Sequence, residues 1–313
     1  MIVIDHESIV KLNVKPYDCY QWVKEMLEQK DMALLPPKIS MKQKGHVFYN
    51  VMPCILPTKN IAGVKIVNRY PTRLPSLDSQ IILYDLDTGN IKAIMDGNFI
   101  TTMRTGAVAA FSIQLLALKD FVTIGLIGLG NTARAVFKVL LDLYKERDLE
   151  VKLYSYKNQE KLFIDEFKMY ENVSFKAYPT YKDVINYSDV IISCVTFIEK
   201  NFCEDEFYKE GCLVVPIHTL GFQNCDLFFD KVYADDTNHV KDFRYFKEFQ
   251  EFAEISDIIK GQAMGRNNDK ERIIVYNIGI AMHDIFFAEE IYQLMEGKGI
   301  NTSFNSPKQK FWI

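Results

Sequence analysis

Phe121-Val-Thr-Ile-Gly-Leu-Ile-Gly-Leu-Gly-Asn-Thr-Ala133 is the stretch that decides how this chain folds. Its apolar half, Phe121 to Ile127, has the length and composition of a strand buried on both faces. Residues Arg134 to Tyr144 follow with apolar positions at helical spacing. Between them, Gly128-Leu-Gly-Asn-Thr-Ala133 has the form GxGxxA. In a strand–turn–helix unit each small residue has a mechanical reason. Gly128 permits the tight turn, Gly130 lets backbone approach a pyrophosphate, and Ala133 lets the helix pack on the strand. The helix start would then present unbonded N–H groups and the positive end of its dipole to phosphates. The stretch predicts a dinucleotide-binding unit that holds NAD or NADP.

The rest of the chain divides around this unit. From about residue 119, candidate strands at Thr123–Ile127, Val151–Tyr154, Val190–Val195 and Cys212–Ile217 alternate with helical stretches. That rhythm predicts an α/β fold with a Rossmann-type, doubly wound parallel sheet. Val232–Asp235 and Ile273–Tyr276 read as further strands, Phe243–Phe249 as an amphipathic helix, and Ala281–Glu296 as a final helix. Upstream lies an α+β block with mostly antiparallel strands. Tyr17–Asp31 has a helical period, and strands are expected at Val47–Val51, ended by Met52-Pro53, and at Gly63–Val67. Gln80–Asp85 and Ile91–Met95 flank an Asp87-Thr-Gly89 turn, and Thr101–Leu118 reads as an Ala-rich helix.

The 313 residues suit two domains, and a net charge of −4 gives no basic field for nucleic acid. Cys19, Cys54, Cys194, Cys203, Cys212 and Cys225 form no CxxC pair, and read as reduced thiols rather than a disulfide framework or metal site. Met1-Ile-Val-Ile-Asp-His6 lacks a basic leader region, and no apolar run reaches membrane-spanning length. A cytoplasmic protein with no membrane partner is expected.

Several residues carry candidate chemistry. At the end of the second strand of the parallel sheet, where NAD sites commonly place an acid for the ribose 2′-OH, stand Ser155, Tyr156 and Lys157. A hydroxyl and a cation suit a 2′-phosphate, which favours NADP(H) over NAD(H); the alternative is a surface lysine that contacts nothing. Thr101-Thr-Met-Arg104-Thr105-Gly-Ala107 reads as a helix start with N–H groups open to an anion, where Arg104 either clamps a carboxylate or forms a structural ion pair. Lys65, inside an apolar strand, either faces solvent or stands in a cleft beside Arg104, where desolvation and a like charge would favour proton transfer. His218 and Gln223 follow a strand of the parallel sheet on its ligand-facing edge. Asp235-Asp236 read as a solvated turn.

Taken in order, these residues carry a family likeness. Pro36-Pro-Lys38, Met52-Pro53, Gly63-Val-Lys65, Leu74-Pro-Ser76, Tyr84-Asp-Leu-Asp-Thr-Gly89, Met95-Asp-Gly97, Arg104-Thr-Gly-Ala107 and Gly128-Leu-Gly130, followed by Gly265-Arg266, Gly279 and Asp284, resemble the ornithine cyclodeaminase/mu-crystallin family. The resemblance implies a homodimer. Residues 1–118 with 281–313 would form a substrate-binding and dimerisation domain, and 119–280 the dinucleotide domain. It implies hydride transfer between nicotinamide and the α-carbon of an L-amino acid or its imine. By similarity Lys65, Arg104 and Lys38 would hold the substrate carboxylate, with Lys65 and Asp226 as candidates for proton transfer. The cofactor set implied comprises Ser76, Thr105, Gly128, Gly130, Asn131, Thr132, Ser155, Lys157, Cys194, Thr196, His218 and Gly279. One departure matters. Where cyclodeaminases carry a Gly-Gly-Asp type loop, this chain reads Leu220-Gly-Phe-Gln223, and a glutamine amide does not titrate. That favours a dehydrogenase or imine reductase over cyclisation of ornithine to proline. A crystallin-like binder of NADPH without turnover is the alternative from another class.

Overall fold

The computed structural model describes residues 1–195, 198, 200–217, 222 and 227–303. The chain divides into two compact units, Met1–Val14, Asp31–Thr101 and Asp284–Ile313 forming one, and Lys15–Lys30 with Thr102–His283 the other. The dividing lines therefore differ from residues 118 and 281. The segment Lys15–Lys30 and most of the helix after Thr101 belong with the dinucleotide-loop unit.

The first unit contains β1 (Ile2–Ile4), α1 (His6–Lys11), β2 (Ile39–Gln43), β3 (Val47–Leu56), β4 (Ile61–Arg69), β5 (Leu77–Asp85) and β6 (Ile91–Asp96). Strands β2 to β6 form an antiparallel meander; β1 joins beside β6 in parallel, and Ile300–Asn301 pairs antiparallel with β1. Strand β3 runs on through Pro53 rather than ending at Met52-Pro53. Pro53 pairs with Val64 of β4, while the ladder to β2 stops at Val51, so the missing N–H falls where β2 makes no demand on it. Along β4, Ile61, Gly63, Lys65 and Val67 are more deeply buried than Ala62, Val64 and Ile66, the period of two that places Lys65 in the inward row.

The second unit opens with α2 (Pro16–Glu28) and takes in most of α3 (Asn98–Leu116). By length and composition α3 is apolar enough to cross a membrane, against the expectation from the sequence, but 72% of its most apolar window is buried within the protein. Then follow β7 (Thr123–Ile127), α4 (Asn131–Leu143), β8 (Leu149–Tyr154), α5 (Gln159–Phe167), β9 (Val173–Tyr178), α6 (Tyr181–Ile185), β10 (Val190–Ser193), β11 (Leu213–Pro216), β12 (Lys231–Ala234), α7 (Thr237–Val240), β13 (Phe252–Glu254), α8 (Ile255–Ile259) and β14 (Ile273–Tyr276). Helix α9 (Ala281–Met295) returns the chain to the first unit. The eight strands β7–β14 form one all-parallel sheet in the order β13-β12-β14-β11-β10-β7-β8-β9. Every residue of β10, β11, β12 and β14 is buried, as expected of strands covered on both faces. The chain leaves β7 toward β8 and β9 and then returns to lay β10 on the other side of β7, so the topological switch point lies between β7 and β10.

One expected helix is absent. Between Phe243 and Phe249 there is only a single 3₁₀ turn, Phe246–Glu248. The aromatic side chains are used singly: Phe243 meets the Tyr276 ring edge-on at 5.0 Å, and Phe246 meets Phe252 at 4.9 Å. Tertiary burial of each ring overrides the helical period.

Candidate active site

The GxGxxA loop sits at the carboxyl end of β7, beside the switch point. Gly128 has φ +83°, and a Cβ there would stand 2.8 Å from the carbonyl carbon and oxygen of Cys194 and 2.9 Å from the Val195 nitrogen. Only glycine allows β7 to turn this close to the chain leaving β10. Gly130 is different. Its φ is an ordinary −80°, and among the described residues a Cβ would meet no atom within 4 Å. The requirement for glycine there is not internal packing, but it fits a backbone that must approach a bound group. Gly130 caps α4 with no side-chain hydrogen bond, Asn131 is exposed and Thr132 half-buried, so the first N–H groups of a 13-residue helix are not taken by a side-chain cap. These residues fit the pyrophosphate of a dinucleotide.

Behind the loop, α3 crosses α4 at backbone contact. A Cβ on Gly106 would come within 2.6 Å of the Ala135 carbonyl carbon and 2.7 Å of the Val136 nitrogen. That explains the glycine in Arg104-Thr-Gly-Ala107. It also corrects the reading of this stretch as a helix start. Helix α3 begins three residues earlier, because Asp96 accepts from the Asn98 N–H at 3.0 Å and the Thr101 N–H already donates to Gly97. The Arg104 and Thr105 amides lie inside the helix, and both side chains are buried.

Arg104 approaches the turn after β14. Gly279 has φ +90°, and a Cβ on it would stand 2.8 Å from the Arg104 Cζ. The Gly279 N–H donates to Oδ2 of Asp235 at 2.5 Å. Asp235 is fully buried and Asp236 is 7% exposed, so they are not a solvated turn. Asp236 caps α7 through the Asn238 N–H and pairs at 3.1 Å with the buried Lys30, which also bonds Glu254 and the Asp235 carbonyl. Burial alone would raise the Asp235 carboxyl; the His239 ring, the nearby His283 and the Gly279 N–H together hold it below the ordinary aspartate range.

At the carboxyl end of β8, Ser155 is half-buried, and its N–H donates to the Tyr178 carbonyl at 2.9 Å. Lys157 is exposed at φ +50°, with its ammonium over the Tyr156 ring. An acid not singled out in the sequence, Glu160, reaches back to accept from the Tyr156 N–H at 3.2 Å. The available signal was a carboxylate in the first turn of the following helix, four residues after Tyr156. Cys194 lies where β10 ends, and burial pushes its thiol up to about 12, so it stays uncharged.

In the first unit, Lys65 does not face solvent. It is 1% exposed, and its Nζ lies 2.6 Å from Oδ2 of the fully buried Asp284 in the first turn of α9. Lys38 is half-buried just ahead of β2, and Ser76 half-buried after the cis Leu74-Pro75 bond, its carbonyl accepting from the Tyr70 N–H at 2.8 Å. Thr196, His218, Gln223 and Asp226 lie outside the described residues.

Three comparisons set this geometry among known proteins. The chain is 27% identical over 286 residues to a nodulation efficiency protein of Rhizobium meliloti, covering 85% of this chain and 86% of the relative. It is 26% identical over 279 residues to a Δ1-pyrroline-2-carboxylate reductase of Bacillus cereus, covering 81% and 84%. Its fold matches that of Thermococcus litoralis Δ1-pyrroline-2-carboxylate reductase in complex with NADH and L-proline, with a TM-score of 0.87 over 97% of this chain and 100% of that one, at 22% identity. The family model for the ornithine cyclodeaminase/mu-crystallin family spans residues 2–299, and the chain, with its Gly128–Ala133 loop at the switch point and its Arg104–Gly279 contact, belongs to that family.

Proposed function

We propose that this protein transfers hydride between a nicotinamide cofactor and the α-carbon of an L-amino acid or its imine, as an amino-acid dehydrogenase or imine reductase. The observation that carries the reading is Gly130, a glycine with ordinary φ and no atom of the described residues within 4 Å of a Cβ, at the head of α4, which has no side-chain cap. Neither φ nor crowding by the described residues demands a glycine there, whereas a pyrophosphate approached by backbone does. Membership of a family with imine-reducing relatives supplies the reaction class.

The nicotinamide, when bound, supplies or accepts the hydride. The chain's own work is to hold and orient. Asn131 and Thr132 stand at the phosphate end of α4. In the first unit, the buried Lys65 ammonium is the proposed partner of the substrate carboxylate. In the second, Arg104 offers a planar fork of donors to an anion from a position fixed by Gly279. Fixing the reacting carbon against the cofactor contributes on the order of 7–11 kcal/mol in favourable intramolecular reactions.

Within this reading NADP(H) stands ahead of NAD(H). Support comes from the exposed Lys157, from Ser155, and from the engagement of Glu160 with the Tyr156 N–H. Assembly as a homodimer is also proposed. It draws support from the outer face of the first unit's sheet, where Pro53, Ile55, Ala62, Val64 and Tyr84 help line an apolar groove of about 390 Å³. The protein is proposed to work in the cytoplasm.

The test is absorbance at 340 nm with purified protein, reduced cofactor and a panel of linear and cyclic α-imino acids. Net oxidation of the cofactor supports the reading. Ammonia release from L-ornithine with no net change at 340 nm would replace it with cyclodeamination, and tight NADPH binding with no turnover would replace it with a binding role.

A further inference from the structure

Lys65 has a partner 219 residues away in sequence, and the fold goes to some trouble to bring it there. Gly63, two residues before Lys65 on the same inward row of β4, lies so close to α9 that a Cβ would stand 2.6 Å from Ile285 Cδ1. The residue before Ile285 is Asp284, whose carboxylate is fully buried 2.6 Å from the Lys65 Nζ. The other charged groups on this stretch of α9 are already engaged, Glu289 with Lys92 at 2.8 Å and Glu290 with Lys59 at 2.5 Å. Across the ladder from Lys65 stand Met52 on β3 and Ile81 on β5, which carry no charge. Next to Asp284 on α9 stands the buried His283, and on β3 Cys54, whose thiol is pushed up to about 12 by burial and by the charge of Asp284, and so stays neutral.

We propose that Asp284 is a positioning residue for Lys65, holding its amine protonated and its Nζ in one place, so that Lys65 serves as a fixed cation rather than as a base. A carboxylate in direct contact favours the ammonium over the free amine, and in a buried site the attraction is little screened. A permanent cation suits carboxylate binding; it does not suit repeated proton transfer. The inference rests on the reading of Lys65 as a substrate-binding group, but its test does not require turnover.

The titration of Lys65 is to be followed by NMR of protein labelled with [ε-¹³C]lysine, the signal being assigned by its loss in Lys65→Met. In Asp284→Asn the amine should deprotonate at least one pH unit lower than in the wild type, a tenfold loss of proton affinity. Identical titration in the two proteins would overturn the proposal, whatever the activity. Kinetics on the holoenzyme then add a second readout. The alkaline limb of kcat/KM for a cyclic imino acid should move down with the NMR titration in Asp284→Asn, with NADPH affinity within twofold of wild type. In a Lys65→Met background the Asp284→Asn change should cost less than twofold in kcat/KM. Losses that multiply in the double variant would contradict action through Lys65. A wild type that turns over no imine or amino acid would count against the function proposed above and leave the NMR result to decide the role of Asp284.

Discussion

Arg104 presses its guanidinium against Gly279, so that a Cβ on Gly279 would stand 2.8 Å from Arg104 Cζ. The same glycine has φ +90°, and its N–H is bound to Asp235. Gly279→Ala should therefore cost about 1–3 kcal/mol of stability from backbone strain and displace Arg104 as well. Thermal unfolding reads the first effect. The second should appear as a KM for the amino-acid or imino-acid substrate raised by about tenfold, or about 1.4 kcal/mol of binding.

The two loop glycines should respond differently to the same change. Gly128→Ala meets the Cys194 backbone at 2.8 Å from a φ of +83°, and should lower stability and cofactor affinity together. Gly130→Ala meets none of the described residues, and should cost no more than the loss of a glycine cap, about 1 kcal/mol of stability, while weakening NADPH binding about tenfold, near 1.4 kcal/mol. Fluorescence titration of reduced cofactor beside a melting curve separates the two. A Gly130→Ala protein with unchanged cofactor affinity would remove the main support for the proposed function.

At the crossing of α3 and α4 the expectation is purely steric. Gly106→Ala forces a methyl to within 2.6 Å of the Ala135 carbonyl carbon, where both neighbours are helical backbone. Overpacking of this kind costs about 1–3 kcal/mol, to be measured by denaturant unfolding.

The buried Asp235 makes acid stability predictable in sign. Its carboxyl lies below the ordinary value of 3.8 in the folded protein, so the unfolded chain binds the proton more readily. The stability it contributes is complete above about pH 4 and is lost as pH falls through the lower folded value. Unfolding free energy below pH 4 should fall more steeply in the wild type than in Asp235→Asn. At pH 7, Asp235→Ala should cost about 1–3 kcal/mol, because the buried Gly279 N–H loses its acceptor.

Legibility in the sequence followed the range of the interaction. The loop Gly128–Ala133 and the strands of the parallel sheet were readable because their signals are local, namely a turn, a period and an apolar run. Even the true start of α3 is written in Asp96-Gly-Asn98, a capping signal that competes with the threonines that follow. Pro53 misled because a proline breaks a strand only where its N–H is needed, which depends on where β2 stops. The Lys65–Asp284 pair and the burial of Asp235 carried no local signal at all. Both depend on segments brought together only by the finished fold, Asp284 by α9 and Asp235 by the turn at Gly279. The aromatic run Phe243–Phe249 failed in the opposite sense, its local period losing to separate packing sites for its rings.

Hydride transfer to and from the α-carbon leaves a direct mark on the product. It is tested most directly with NADPH deuterated at the reactive C4 position, a cyclic α-imino acid such as Δ1-pyrroline-2-carboxylate, and mass spectrometry of the product. One deuterium is expected on the α-carbon of an L-amino acid for each cofactor oxidised. An unlabelled product, or cofactor that is bound but never oxidised by any imine in the panel, would contradict it.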